Sequence, residues 1–160
     1  MAEWIFPLVA RDFYDAGAWT DAGAANISSA YYSKPGREIC LVFDREVKWD
    51  TLPYNGHLLK NQFFLDGASG IVESGSSKGN KVSLKLKDNY TAKKITYLPG
   101  HYYEGTDICY QGPWLFGENG IGVLSFDNLD VKAKNEEVCN APVVYADQSC
   151  FALSNTATFD

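Results

Sequence analysis

The sequence predicts an all-β domain built as an antiparallel β-sandwich, and three observations predict it. Aromatic residues make up 14% of the chain, with ten Tyr, nine Phe and four Trp beside one Met, a profile of strand-rich proteins rather than helical bundles. Val82, Leu84 and Leu86 alternate with Lys81, Ser83, Lys85 and Lys87, which places apolar side chains on one face of an extended strand and lysines on the other. Short apolar runs recur between Gly and Pro turn signals, and no helix-length connector separates them.

The elements follow in order. Trp4 to Tyr14 carries one short helix at most, interrupted by Pro7, and Asn26 to Tyr32 reads as a turn. Glu38 to Phe43, following Pro35-Gly36, is a continuous apolar run expected of a strand buried on both faces. Trp49 ends a strand and is expected to pack in the core. Asn61 to Leu65 is the next strand, before the turn residues Asp66-Gly67, and Gly75 to Gly79 reads as a Gly/Ser-rich hinge. After the lysine-faced strand come Lys94 to Leu98, stopped by Pro99-Gly100, and Gly120 to Phe126, running on to Val131. The charged stretch Lys132 to Glu137 breaks the pattern, and Val143-Val144-Tyr145 beyond it is an extra strand or part of a linker. Residues 1–26 are therefore expected to be an N-terminal extension or the tail of a preceding domain, 27–131 the sandwich, and 132–160 a C-terminal tail or extra strands. No repeat of 20 to 50 residues is present.

Bulk properties narrow the function classes. A chain of 160 residues buries roughly 70% of its unfolded surface, so it needs neither metal nor disulfide to fold. Net charge is -6 and no basic run exceeds Lys93-Lys94, which argues against nucleic acid as a partner. Trp4 to Ala10 is the longest apolar stretch near the start. It is too short to span a bilayer and lacks the basic leader of a secretory signal.

One segment stands apart. Pro99 to Leu115 joins two strands and carries His101, Tyr102, Tyr103, Tyr110 and Trp114 among shaping Gly and Pro residues. Connections of this length are uncommon in compact domains and often functional. Its aromatics either plug the open end of the sandwich or form a ligand platform. Sugar rings offer apolar C–H faces and polar edges. Tyr102, Tyr103, Tyr110 and Trp114 would supply flat faces for them, Gln111, Glu104 and Asp107 polar contacts, and His101 a hydrogen bond to a hydroxyl.

The strings Lys94-Ile95-Thr96-Tyr97-Leu98-Pro99-Gly100-His101-Tyr102-Tyr103, Tyr110-Gln111-Gly112-Pro113-Trp114-Leu115 and Gly120-Ile121-Gly122-Val123-Leu124-Ser125-Phe126 carry a resemblance. They resemble the β-sandwich accessory module of SGNH-type bacterial carbohydrate esterases, those often labelled sialate O-acetylesterase-like. Ile39 to Trp49, with Phe43-Asp44-Arg45-Glu46-Val47, resembles the early strand of that module, and the likeness covers roughly residues 27 to 131. It implies an immunoglobulin-like or carbohydrate-binding-type sandwich beside a catalytic domain. It brings no esterase with it, because neither the Gly-Asp-Ser-like nucleophile block nor the Asp-x-x-His block of that family is present.

Other chemistry is thinly supported. His57 lies in the turn-like Pro53 to His57 without a nucleophile block beside it. Glu104 and Asp107 are the one carboxylate pair considered for glycoside hydrolysis, which needs a separation of roughly 5 to 9.5 Å. The same pair would suit Ca²⁺, although no Asp-x-Asp-x-Asp-Gly loop makes that specific, and no cofactor or metal is expected. Cys40, Cys109, Cys139 and Cys150 allow three pairings. Cys139 and Cys150 flank a short hairpin and are the favoured bridge, contributing roughly 2.5 to 3 kcal/mol. Cys40 and Cys109 either bridge the long loop to the core or remain free thiols. Bridges would imply an oxidising compartment. Asn26-Ile27-Ser28 and Asn89-Tyr90-Thr91 match the glycosylation triplet.

The expectation is a non-catalytic extracellular or cell-surface module that binds a polysaccharide or glycan, or positions a neighbouring esterase domain. The alternative is a self-assembling structural or adhesive subunit of a surface, filament or virion. A small hydrolase using Glu104 or Asp107 is the third class.

Overall fold

The structure, a computed structural model, describes residues 6, 9, 10, 12–14, 23–54, 56–98 and 113–133. Alternation of buried and exposed side chains makes the strands: β1 (Ile27–Lys34), β2 (Glu38–Phe43), β3 (Val47–Lys48), β4 (Phe63–Leu65), β5 (Val72–Lys78), β6 (Lys81–Leu86), β7 (Lys94–Tyr97), β8 (Phe116–Gly117) and β9 (Phe126–Lys132). A 3-10 turn, Leu59–Gln62, leads into β4. The all-β class is as the composition predicts.

Seven strands form one mixed sheet in the order β4-β7-β9-β1-β2-β6-β5, and β3 pairs with β8 in a separate ribbon. The large sheet curls until it is nearly barrel-shaped. Its pairs are antiparallel with one exception, contrary to the uniformly antiparallel expectation. β1 and β9 run parallel through Ala30↔Val131 and Tyr31↔Lys132.

The curl lets both halves of the sheet share one core. Ile39, Leu41 and Phe43 of β2, Val82 and Leu84 of β6, Phe63 and Leu65 of β4, and Ile95 and Tyr97 of β7 are all at most 1% exposed. Each such side chain contributes roughly 1.5–3 kcal/mol through burial. Two tyrosines hold the core to its loops. The buried Tyr32 hydroxyl accepts the Ala92 N–H at 2.6 Å and donates to the Tyr90 carbonyl at 3.1 Å. The Tyr97 hydroxyl accepts the Leu115 N–H at 2.8 Å, while its ring stacks on Phe63 at 4.8 Å.

Three local readings are corrected. Asn26 to Tyr32 is not a turn, because Ile27 onward forms β1, whose Ala30 and Tyr32 are buried at alternate positions. Gly75 to Gly79 is no hinge either: residues through Lys78 belong to β5, paired with β6 without a break from Ser74 to Lys78. The strand expected from Gly120 starts only at Phe126. Before it, Gly120 (φ +75°) closes a tight turn, and Val123 donates to the Leu115 carbonyl at 2.8 Å.

Turn chemistry sets the registers. Asp66 and Gly67 both have positive φ, and Leu65 and Ala68 exchange two hydrogen bonds at 2.9 Å across them. The Asp66 carboxylate then accepts the N–H groups of Lys93 and Lys94, at 3.0 and 2.8 Å, fixing the start of β7. Between β5 and β6, Gly79 takes φ +57° and the Asn80 amide donates to the Phe43 carbonyl at 2.9 Å.

Candidate functional site

The two free margins of the curled sheet, β4 and β5, are bridged by a side chain from neither. Trp49 follows β3 directly. Its backbone N–H donates to Ser77 Oγ of β5 at 2.9 Å, and its indole stacks on Phe63 of β4 with centroids 5.7 Å apart and planes 18° apart. The indole fits because β5 has Gly75 opposite it, where any Cβ would overlap the benzo ring. A glycine inside a strand marks such close approach.

Beside this wedge lies an open groove of about 190 Å³, lined by Trp49 with Asp50, Thr51, Leu58, Lys60 and Glu73. The chain is held in position around it. The Asp50 carboxylate accepts the Leu52 N–H at 2.8 Å, an Asx turn that starts the loop. Tyr54 and His57 exchange two backbone hydrogen bonds at 3.0 and 2.9 Å, closing a tight turn in which Gly56 takes φ +78°. Leu59 anchors the return, being 2% exposed, and Lys60 Nζ donates to the Glu73 carbonyl at 3.1 Å across the groove. The result is a groove walled by the partly exposed indole and Leu58, with Asp50, Glu73, Thr51 and Lys60 around it. Trp49 packs against the core as its sequence context predicts, and its partly exposed edge lines a groove that no single local pattern announces. Gly75 within a strand, together with Asp50-Thr51 before a Pro-Tyr-Asn-Gly turn, was the available signal.

Of the residues predicted to bind carbohydrate, Trp114 is half-buried in the segment before Leu115. His101, Tyr102, Tyr103, Glu104, Asp107, Tyr110 and Gln111 lie outside the described residues. So do Cys109, Cys139 and Cys150; Cys40 is a free, buried thiol on β2. His57 is exposed on the groove's tight turn.

Gly75-Ser76-Ser77-Lys78-Gly79 spells the Gly-x-Ser-x-Gly letters of a nucleophile elbow. That motif needs a sharp strand-to-helix turn with an outward hydroxyl. Here the letters run along β5 and into its closing turn with no helix after them, and Ser77 Oγ accepts the Trp49 N–H. Among the described residues no group of three His, Cys, Asp or Glu is placed to hold a metal ion, and no helix is long and apolar enough to cross a membrane.

Shifted ionisations sit away from the groove. Burial pushes the Tyr32 phenol up, opposed by its hydrogen bond with Ala92. Lys34, hydrogen-bonded to Glu38 at 3.0 Å, holds that carboxyl below its usual range. Lys94 does the same to Asp130 from 2.7 Å. All three follow from contacts that shape the sheet.

No family model, no curated protein and no solved structure matches the chain.

Proposed function

We propose that the chain is a non-catalytic, extracellular accessory module that binds carbohydrate, beside a carbohydrate-active esterase domain. On this reading the opposed halves of the curled sheet act as the layers of an immunoglobulin-like, carbohydrate-binding-type sandwich. The observation that carries it is the Trp49 groove. An indole braced by Phe63 and Gly75 cannot turn away, and Asp50, Thr51 and Lys60 surround it with donors and acceptors suited to sugar hydroxyls. At about 190 Å³ it falls below the ~300 Å³ at which pockets begin to enclose drug-sized ligands. It therefore suits one sugar ring of a longer chain, held on a surface open to water. Such a surface favours holding a polymer over the water-excluded chemistry of an active site.

A tryptophan-fluorescence titration and pull-down against neutral and acidic polysaccharides tests this. Saturable binding that is lost in Asp50→Ala assigns the site to the groove, whereas loss only in Trp114→Ala assigns it to the long loop. A folded protein that binds nothing across the panel refutes the proposal.

A second reading, a self-assembling structural subunit, is favoured by Leu52 and Tyr54. They stand 69% and 56% exposed on a loop fixed by the Asp50 and Tyr54–His57 turns. It predicts sedimentation that rises with concentration and falls back to the monomer in Leu52→Asp.

A further inference from the structure

The geometry points to a second binding surface, on the outer face of the β5–β6 hairpin, built to take an anionic polysaccharide along a stripe of lysines and serines. The strand register places the residues. Lys78 stands opposite Lys81, Ser76 opposite Ser83, and Ser74 opposite Lys85, while the core residues Val82, Leu84 and Leu86 point the other way. Lys87 extends the stripe beyond β6. All four lysines are exposed, and among the described residues none has an ion-pair partner. Two carboxylates border the stripe: Glu38, in register with Lys85, is engaged by Lys34 at 3.0 Å and by Ser83, and the exposed Glu73 occupies the bulge of β5 before Ser74. Positive charge is thus concentrated on one hairpin of a chain whose net charge is -6.

Like charges directly opposite on neighbouring strands destabilise a sheet, so the Lys78–Lys81 pair costs stability until an anion lies across it. Polyanions differ in what else they require. Single-stranded nucleic acid needs aromatic platforms for its bases, and a bilayer needs apolar side chains to enter the headgroup region. The stripe has neither; the residues in register between its lysines are Ser74, Ser76 and Ser83, short hydroxyls of which the last is hydrogen-bonded to Glu38. A hydroxyl-rich acidic sugar chain matches both its charge and its hydrogen-bonding groups. The ligand class rests on the carbohydrate reading above, whereas the site is separate from the groove.

The test compares two charge-matched double variants of the full chain, Lys81→Gln/Lys85→Gln on the stripe and Lys48→Gln/Lys93→Gln away from it. The probes are polygalacturonate, a neutral xylan, a single-stranded oligonucleotide and phosphatidylserine vesicles, at about 50 mM and about 200 mM salt. The expected result is polygalacturonate binding that weakens about tenfold in the stripe variant, is unchanged in the control, and collapses at the higher salt. Lys85→Gln alone, at an exposed position, should weaken binding in the same direction if the double variant misfolds. Equal losses in both pairs, no polygalacturonate binding, or tighter binding of the oligonucleotide or vesicles would overturn the inference. Failure of the groove reading is distinct from these, because it appears as xylan binding that Asp50→Ala leaves untouched, or as no xylan binding at all.

Discussion

β2 and β5 belong to the same sheet, separated only by β6, yet they are held in opposite ways. β2 fills the core with its own side chains: Ile39, Leu41 and Phe43 are each at most 1% exposed, between β1 and β6. β5 has a single buried residue, Val72, and its other inward positions, Gly75 and Ser77, face Trp49. One strand contributes apolar mass, and the other contributes a gap and a hydrogen-bond acceptor. A sheet margin can therefore be stabilised by a side chain from a neighbouring loop, and that arrangement leaves an aromatic ring partly exposed beside the groove.

Substitutions on each strand test this contrast. Phe43→Ala should have the largest effect, about 3–5 kcal/mol of destabilisation by urea unfolding, since it removes a fully buried ring from β2. Gly75→Ala should cost about 1–3 kcal/mol although it adds one methyl to a margin strand, because the Trp49 indole occupies that space. A double-mutant cycle with Trp49→Ala sharpens the point. Gly75→Ala should be close to neutral once the indole is gone, and an unchanged cost would mean that β5 is not fitted to Trp49.

Next in size is Tyr32→Phe, expected to cost about 1–3 kcal/mol by leaving the Ala92 N–H buried without its acceptor. The wild-type phenol, raised by burial above 10.0, also makes stability fall as pH climbs past 10.0 and through its folded value; the variant should lack that fall. The smallest effect belongs to the sheet surface. Glu38 titrates below its ordinary value, so its pairing with Lys34 helps at neutral pH and is lost as pH falls through the lowered value. Lys34→Ala should therefore cost at most about 1 kcal/mol at pH 7 and nothing in strong acid, as thermal melts across pH would record.

The same contrast explains what was legible in the sequence. β2 and β6 were readable because their side chains are themselves the core, so apolar runs and alternation reveal them. β5 read as a hinge because Gly75 and Ser77 are complementary to a tryptophan 26 and 28 residues earlier, a relation no local pattern carries. β1 was missed for a similar reason, as Ser28 and Ser29 mask the alternation that Ala30 and Tyr32 complete. Gly120 to Ser125 looked like a strand because Ile121 and Val123 are buried, yet they point inward from a turn, and Leu124 beside them is 49% exposed. The groove shared the fate of β5, since its ring was read as packing alone.

The parallel seam between β1 and β9 bears on synthesis. Ala30 finds Val131 only after some hundred intervening residues have been made. Pairings so distant in sequence close slowly, since the loop entropy must be overcome before the contact repays it. A nascent chain can complete the β1-β2 and β5-β6 hairpins early, but the edges of β1 and β7 both stay open until β9 emerges between them. During that interval the exposed β1 edge is a template for any other extended strand, and the arrival of residues 126–132 is what ends its vulnerability to pairing with the wrong partner.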